Sequence, residues 1–213
     1  MLRHIGKATS DWLEKAGLLA ACIAVTAAMI TGFALAAVPA TAATAPTVVS
    51  LTFDNGWENQ MTAAADMQAA GLAGTFYVPS GWIGLANEVS MSDLQTLKAD
   101  GDEIGGKTVD NADLTALTQS GTASGIAEAQ REVCEGRNIL LADGFDVTDF
   151  AYPFADFNAA DETIAENCGF NSGRGVGSLA DAQPNGCTFP DCPYAETIPP
   201  TDPFSKMCIR DSA

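Results

Sequence analysis

Three short blocks of the chain concentrate residues able to do chemistry. Thr52-Phe53-Asp54-Asn55-Gly56 sets a carboxylate beside an amide. Glu103-Ile104-Gly105-Gly106-Lys107-Thr108-Val109-Asp110-Asn111, followed by Asp113-Leu114, carries an amine and, one helical turn's spacing later, a second amide. Phe150-Ala151-Tyr152-Pro153-Phe154 places the Phe154 backbone N–H directly after a proline, which has none of its own. A carboxylate, an ammonium and a free N–H are the parts of general-base chemistry with electrostatic stabilisation of an oxyanion. His4, the single histidine, precedes the first long apolar run. Any domain beyond that run therefore lacks a His triad, a His base and a His metal site.

Residues this far apart must be gathered by a repeating scaffold. Val48 to Asp54 is short, β-branched and apolar, as a buried parallel strand requires. Gln60 to Ala70 predicts an Ala-rich helix ended by Gly71, and Gly74 to Val78 (GTFYV) a second strand. A helix capped by Ser92 and stopped by Gly101 follows, then a third strand from Glu103 to Gly106. Ile126, Ala129, Val133 and Leu140 mark one face of a long helix closed by Gly144. Thr148 to Pro153 predicts a fourth strand, Asp161 to Cys168 a fourth helix, and Asn171 to Gly175 a fifth strand. Such βα repetition implies an α/β parallel sheet or barrel with its chemistry at the carboxyl ends of the strands. The acidic run Asp100, Asp102, Glu103 reads as a solvated turn.

Both ends of the 213-residue chain read as separate from this scaffold. Residues 1–42 combine Arg3, Lys7 and Lys15, an uncharged stretch from Ala16 to Val38, and small residues ending at Ala42. That is the plan of a secretory signal, with an N-terminal membrane anchor as the alternative; residues 43–47 are a linker. Either places the domain, residues 48–205, in the secreted fraction or cell envelope. Lys206 to Ser212 (KMCIRDS) resembles the translation of an adapter used in sequencing libraries, so residues 206–213 are set aside. Between Ala43 and Ser205, 24 acidic residues face five basic ones, a balance of −19. This surface excludes nucleic acid as a partner, leaves membrane contact to the N-terminal segment, and suits high salt.

The order and spacing of the three blocks, with GTFYV between them, resemble the polysaccharide deacetylases of the NodB-like type, carbohydrate esterase family four. The family patterns are TFDDG, EIGSHTxxHxDL and an Arg-x-Pro-Tyr-Gly turn, and the likeness runs from about Val48 to Tyr194. It implies a distorted (β/α) barrel, incomplete at its C-terminal end, and N-acetylated or peptidoglycan-like glycan as the ligand. It also implies hydrolysis assisted by a divalent metal such as zinc, held by the second Asp and two histidines while the first Asp acts as base. Asp54 matches that base, the Phe154 backbone N–H matches the family's oxyanion-donor position, and Lys107 would be the electrostatic partner of Asp54 in place of the metal. The ligand positions fall on Asn55, Lys107 and Asn111, two neutral amides and a cation, so no metal cofactor is expected. Ala151 stands where the family has Arg, and Ala155 where it has Gly.

Trp57, Tyr77 and Trp82 lie near the expected cleft mouth and could stack on sugar rings or simply pack; with Asn55, Asn111 and Pro153 they form the expected binding set. Of Cys134, Cys168, Cys187 and Cys192, the pairs Cys134–Cys168 and Cys187–Cys192 are the expected disulfides, a four-thiolate zinc site being the alternative. Three functions remain open. One is a glycan deacetylase with an altered centre, another a glycan-binding pseudoenzyme, and the third a structural envelope domain.

Overall fold

The computed structural model describes residues 48–176 and 196–206. The chain divides into two units, Met1–Thr47 and Val48–Ala213, and every described residue lies in the second. The N-terminal signal or anchor, and the Cys187–Cys192 pair, fall outside the described residues.

Five strands alternate with helices: β1 (Thr52–Asp54), α1 (Gln60–Ala69), β2 (Thr75–Val78), α2 (Met91–Asp100), β3 (Glu103–Gly106), α3 (Leu114–Gln119), α4 (Ala123–Ala142), β4 (Asp149–Ala151), α5 (Ala159–Asn167) and β5 (Ser172–Arg174). Single turns of 3₁₀ helix, Ser80–Trp82 and Pro153–Ala155, follow β2 and β4. The strands pair in parallel in chain order, β1-β2-β3-β4-β5. With helices on the outside they form a curled half-barrel, the α/β architecture expected.

Alternation along the strands gives the sheet two unlike faces. Phe76, Val78, Ile104 and Phe150 point into a core shared with Leu94, Leu97, Val133, Leu140 and Ile164 from the helices. Phe53 stacks on Phe76 with ring centroids 4.6 Å apart. Each such buried side chain stabilises the fold by about 2–3 kcal/mol. Thr75, Tyr77, Glu103, Asp149, Ala151, Ser172 and Arg174 occupy the other face.

Several expected boundaries shift. The strands expected at Val48–Asp54, Thr148–Pro153 and Asn171–Gly175 shorten to the three residues each that face a hydrogen-bonding neighbour. Ser90, rather than Ser92, caps α2. Ser90 Oγ accepts from the Asp93 N–H while the Asp93 carboxylate accepts from the Ser90 N–H, a reciprocal pair that needs the three-residue spacing. The fourth expected helix starts at Ala159, behind an Asn158 cap, and ends at Asn167. The short helix α3 was not expected; Asp113 caps it. Nor is the run at residues 100–103 a purely solvated turn. Asp102 accepts from the Gly74 N–H at 2.8 Å, and Glu103 accepts from the hydroxyls of Thr75 and Thr148, also at 2.8 Å. Burial raises the Glu103 pKa, with those hydroxyls opposing the shift and Asp149 adding to it.

Cys134 on α4 and Cys168 at the end of α5 form the expected disulfide. Among the described residues no helix is long and apolar enough to cross a membrane.

Candidate functional site at the strand ends

Asp54 is the last residue of β1, and the chain must leave it abruptly. Asn55 and Gly56 both take left-handed backbone angles, φ 74° and 73°. Asn tolerates this region better than most residues, and at Gly56 any Cβ would lie 2.9 Å from Val78 Cγ1. Gln60 Nε2 donates to the Asp54 carbonyl at 2.7 Å, tying the turn to the start of α1.

Lys107 follows β3, in a loop held from two sides. Ser80 and Gly81 N–H groups donate to the Thr108 and Val109 carbonyls at 3.1 and 2.9 Å. From α4, the Glu132 carboxylate accepts from the Asp110 N–H at 2.9 Å, and the Glu132 carbonyl accepts from the Val109 N–H at 3.1 Å. Glu132 is buried, ion-paired with Arg131, and was missed in the sequence. Its signal was an acid beside Ala129 and Val133 on the apolar face of a helix. Gly136 on that face lets α4 approach, since a Cβ there would sit 2.9 Å from the Thr108 carbonyl carbon.

These turns bring Lys107 Nζ to 3.6 Å from Asp54 Oδ1. A second cation, also missed in the sequence, meets the same oxygen: Arg174 Nη2 at 2.8 Å. Arg174 reaches it from β5, the opposite edge of the sheet, with its guanidinium 4.5 Å from the centre of the Tyr77 ring. Flat, the five strands would hold β1 and β5 about 19 Å apart. The contact therefore needs the curl. In register Arg174 pairs with Ala151, so a guanidinium stands one strand beside the position where the family pattern has one.

Both cationic side chains are buried, at 5–6% exposure, while Asp54 keeps 37%. Burial lowers the Lys107 pKa; Asp54 opposes that shift and Arg174 adds to it. The Tyr77 hydroxyl is pushed up by burial, against the pull of Arg174.

The remaining expected residues divide. Asn55 and Asn111 flank the charged group in sequence. Asn111 also has a left-handed backbone, φ 56°, and among the described residues the buried Oδ1 atoms of both meet no donor. Trp57 is 43% exposed and lies 6.4 Å from Trp82, ring centre to ring centre. Trp57 also walls a cavity of about 220 Å³ with Glu58, Asn59 and Asn87. Tyr77 is buried between Gly105 and Arg174, so its ring packs and offers no face to a sugar. Pro153 is buried and opens the 3₁₀ turn. In that turn Phe154 and Ala155 have φ 58° and 59°, and among the described residues the Phe154 N–H meets no acceptor. Among the described residues, no three His, Cys, Asp or Glu side chains are grouped to hold a metal ion.

The five parallel strands thus curl into a half-barrel whose carboxyl ends hold Asp54 between the cations of Lys107 and Arg174. The model of the polysaccharide deacetylase family matches residues 41–173, more than half of the chain, and the chain belongs to that family. Its fold is similar to that of the Streptococcus pyogenes deacetylase PplD, solved with acetate. The TM-score is 0.57 at 21% identity, over 64% of this chain and 59% of that one. IcaB from Ammonifex degensii gives 0.59 at 17% identity, over 78% and 69% of the two chains. A family-four pseudoenzyme from Bacillus anthracis gives 0.50 at 16%, over 59% and 42%. This chain thus spans less than two thirds of two of these three proteins. No curated protein matches it.

Proposed function

We propose that this chain binds N-acetylated, peptidoglycan-like glycan at the carboxyl ends of its strands, outside the cytoplasm, and has given up the metal-assisted hydrolysis of its family. The observation that carries this reading is the Lys107 ammonium, 3.6 Å from Asp54 Oδ1 at a position where the family pattern has a metal-ligating histidine. A divalent ion about 4 Å from that ammonium would be repelled by about 8 kcal/mol at an effective dielectric of 20. Arg174 already pairs with the same carboxylate, and Asn55 and Asn111 bring no negative charge to offset the repulsion. These residues do not fit the metal. Exposed Trp57, with Trp82 beside it, supports a surface for sugar rings. The Cys134–Cys168 disulfide supports an oxidising compartment.

Zinc analysis of the purified chain after loading and desalting tests this directly: substoichiometric metal is expected, and one tightly held zinc per chain sinks the reading. Restoring the ligand pattern with Asn55→Asp, Lys107→His and Asn111→His together is expected to create zinc binding at that position. Its failure would show that the backbone has moved as well.

A second reading rests on the Phe154 N–H, which meets no acceptor among the described residues, and the solvent access of Asp54. In it, Asp54 takes a proton from water, Lys107 supplies the positive field, and the Phe154 N–H receives the oxyanion. Deacetylation of chito-oligosaccharide that survives chelation and disappears in Asp54→Asn would select this metal-free enzyme.

A further inference from the structure

Two loops, one after β1 and one before α2, form an acidic and aromatic recess that the Asp54 cluster does not use. Trp57 faces Glu88 across an antiparallel bridge. The Glu58 N–H donates to the Asn87 carbonyl at 2.9 Å and the Val89 N–H to the Gly56 carbonyl at 2.8 Å, which makes Trp57 and Glu88 a non-hydrogen-bonded pair. Partners of this kind approach most closely, with Cα atoms about 4.5 Å apart and both side chains on one side. The Trp82 ring lies 6.4 Å from that of Trp57, and Trp57, Glu58, Asn59 and Asn87 wall the cavity of about 220 Å³. Glu88 Oε2 is buried and meets no donor among the described residues. Burial raises the Glu88 pKa with no cation opposing the shift. Among the described residues neither Glu58 nor Glu88 is ion-paired.

A buried carboxylate oxygen calls for a donor, and this one stands beside an indole. An anion does not suit the recess. The first three N–H groups of α1, from Gln60, Met61 and Thr62, already donate to the carbonyls of Trp57, Glu58 and Asn59, and both acids repel negative charge. Nor does a metal ion suit it, since two carboxylates and an aromatic wall fall short of an oxygen cage. We infer that this recess binds a primary ammonium group, its N–H donating to Glu88 Oε2 and its carbon-bearing side lying against the Trp57 indole. Attraction of the cation to the ring and to Glu58 adds to that hydrogen bond. The site is separate from the Asp54 cluster and independent of the glycan-binding reading. An amino sugar and a free alkylamine carry the same group.

The test is calorimetric titration of the full chain at constant ionic strength, at a pH where amines are protonated. Butylammonium and glucosamine are each compared with a neutral counterpart, 1-butanol and N-acetylglucosamine, and calcium chloride is titrated separately. At least one ammonium is expected to bind about tenfold or more tightly than its neutral counterpart. The stronger of the two identifies the source, free amine or glycan. Glu88→Gln and Trp57→Leu are each expected to weaken that binding about tenfold, with thermal melts showing both variants folded. No preference for the charged ligand, a preference untouched in both variants, or stoichiometric calcium binding that displaces the amine would overturn the inference. None of these results bears on chitotetraose, which carries no ammonium, so glycan binding at the strand ends stands or falls separately.

Discussion

On the helix-covered face of the sheet, Phe76, Val78, Ile104 and Phe150 meet other apolar groups; on the opposite face Tyr77, Glu103, Asp149 and Arg174 meet charges and hydroxyls. The first face is held by volume. Its contacts do not depend on which particular residue supplies the carbon, and they are indifferent to pH. The second face is held by balance, where the cost of a change depends on which partner is left alone. Of the five basic residues between Ala43 and Ser205, two converge on one oxygen of Asp54. A site of this second kind can exchange one cationic centre for another without disturbing the first face.

Substitutions can break this contrast or sharpen it. Phe150, fully buried against the rings of Tyr152 and Phe170, should lose about 4 kcal/mol as Phe150→Ala, measured by denaturant unfolding. Asp54→Asn leaves two buried cations facing each other. Its expected cost is about 2–3 kcal/mol, below the roughly 3–5 kcal/mol of a fully buried pair because Asp54 is 37% exposed. A Lys107→Met change made on top of it should recover part of that loss. Ala155→Gly should stabilise by about 1 kcal/mol, since Ala155 holds φ 59° where glycine carries no steric penalty. Lys107→Met alone should stay within about 1 kcal/mol of the parent at neutral pH, because Arg174 still pairs with Asp54. A loss as large as that of Phe150→Ala would show the two faces to be one cooperative core.

That last variant also has a pH signature. Burial lowers the folded-state pKa of Lys107, so the cost of its buried charge is present in full below that lowered value. Between it and the ordinary lysine range the unfolded chain holds the proton more firmly, and stability rises with pH. The stability of Lys107→Met relative to the parent should therefore be greatest below this window and fall as pH rises through it. Parallel unfolding curves across the alkaline range measure the difference.

The alternation of strand and helix, the helix stops at Gly71 and Gly101, and the Asp54 and Lys107 positions were all readable, because each depends on residues close together in sequence. Arg174 was not. It sits on a three-residue strand of unremarkable composition, and its importance arises only when the sheet curls and brings opposite edges together. Strand lengths were overestimated for a related reason: Val48 and Val49 have the right composition but are 65% and 75% exposed, outside the paired stretch. Glu132 and Ser90 differ, since an acid on an apolar helix face and the Ser90-x-x-Asp93 spacing are local signals carried by the sequence itself. Tyr77 has the ring a sugar could stack on, yet the small residue opposite it in register, Gly105, draws it inward.

The ion pair between Asp54 and Arg174 joins the first and last strands of an open sheet. It works as a fastener across the carboxyl ends of the strands. A fold closed in this way does not rely on a bound ion to keep its edges together, and the residues around the fastener are free to change occupation.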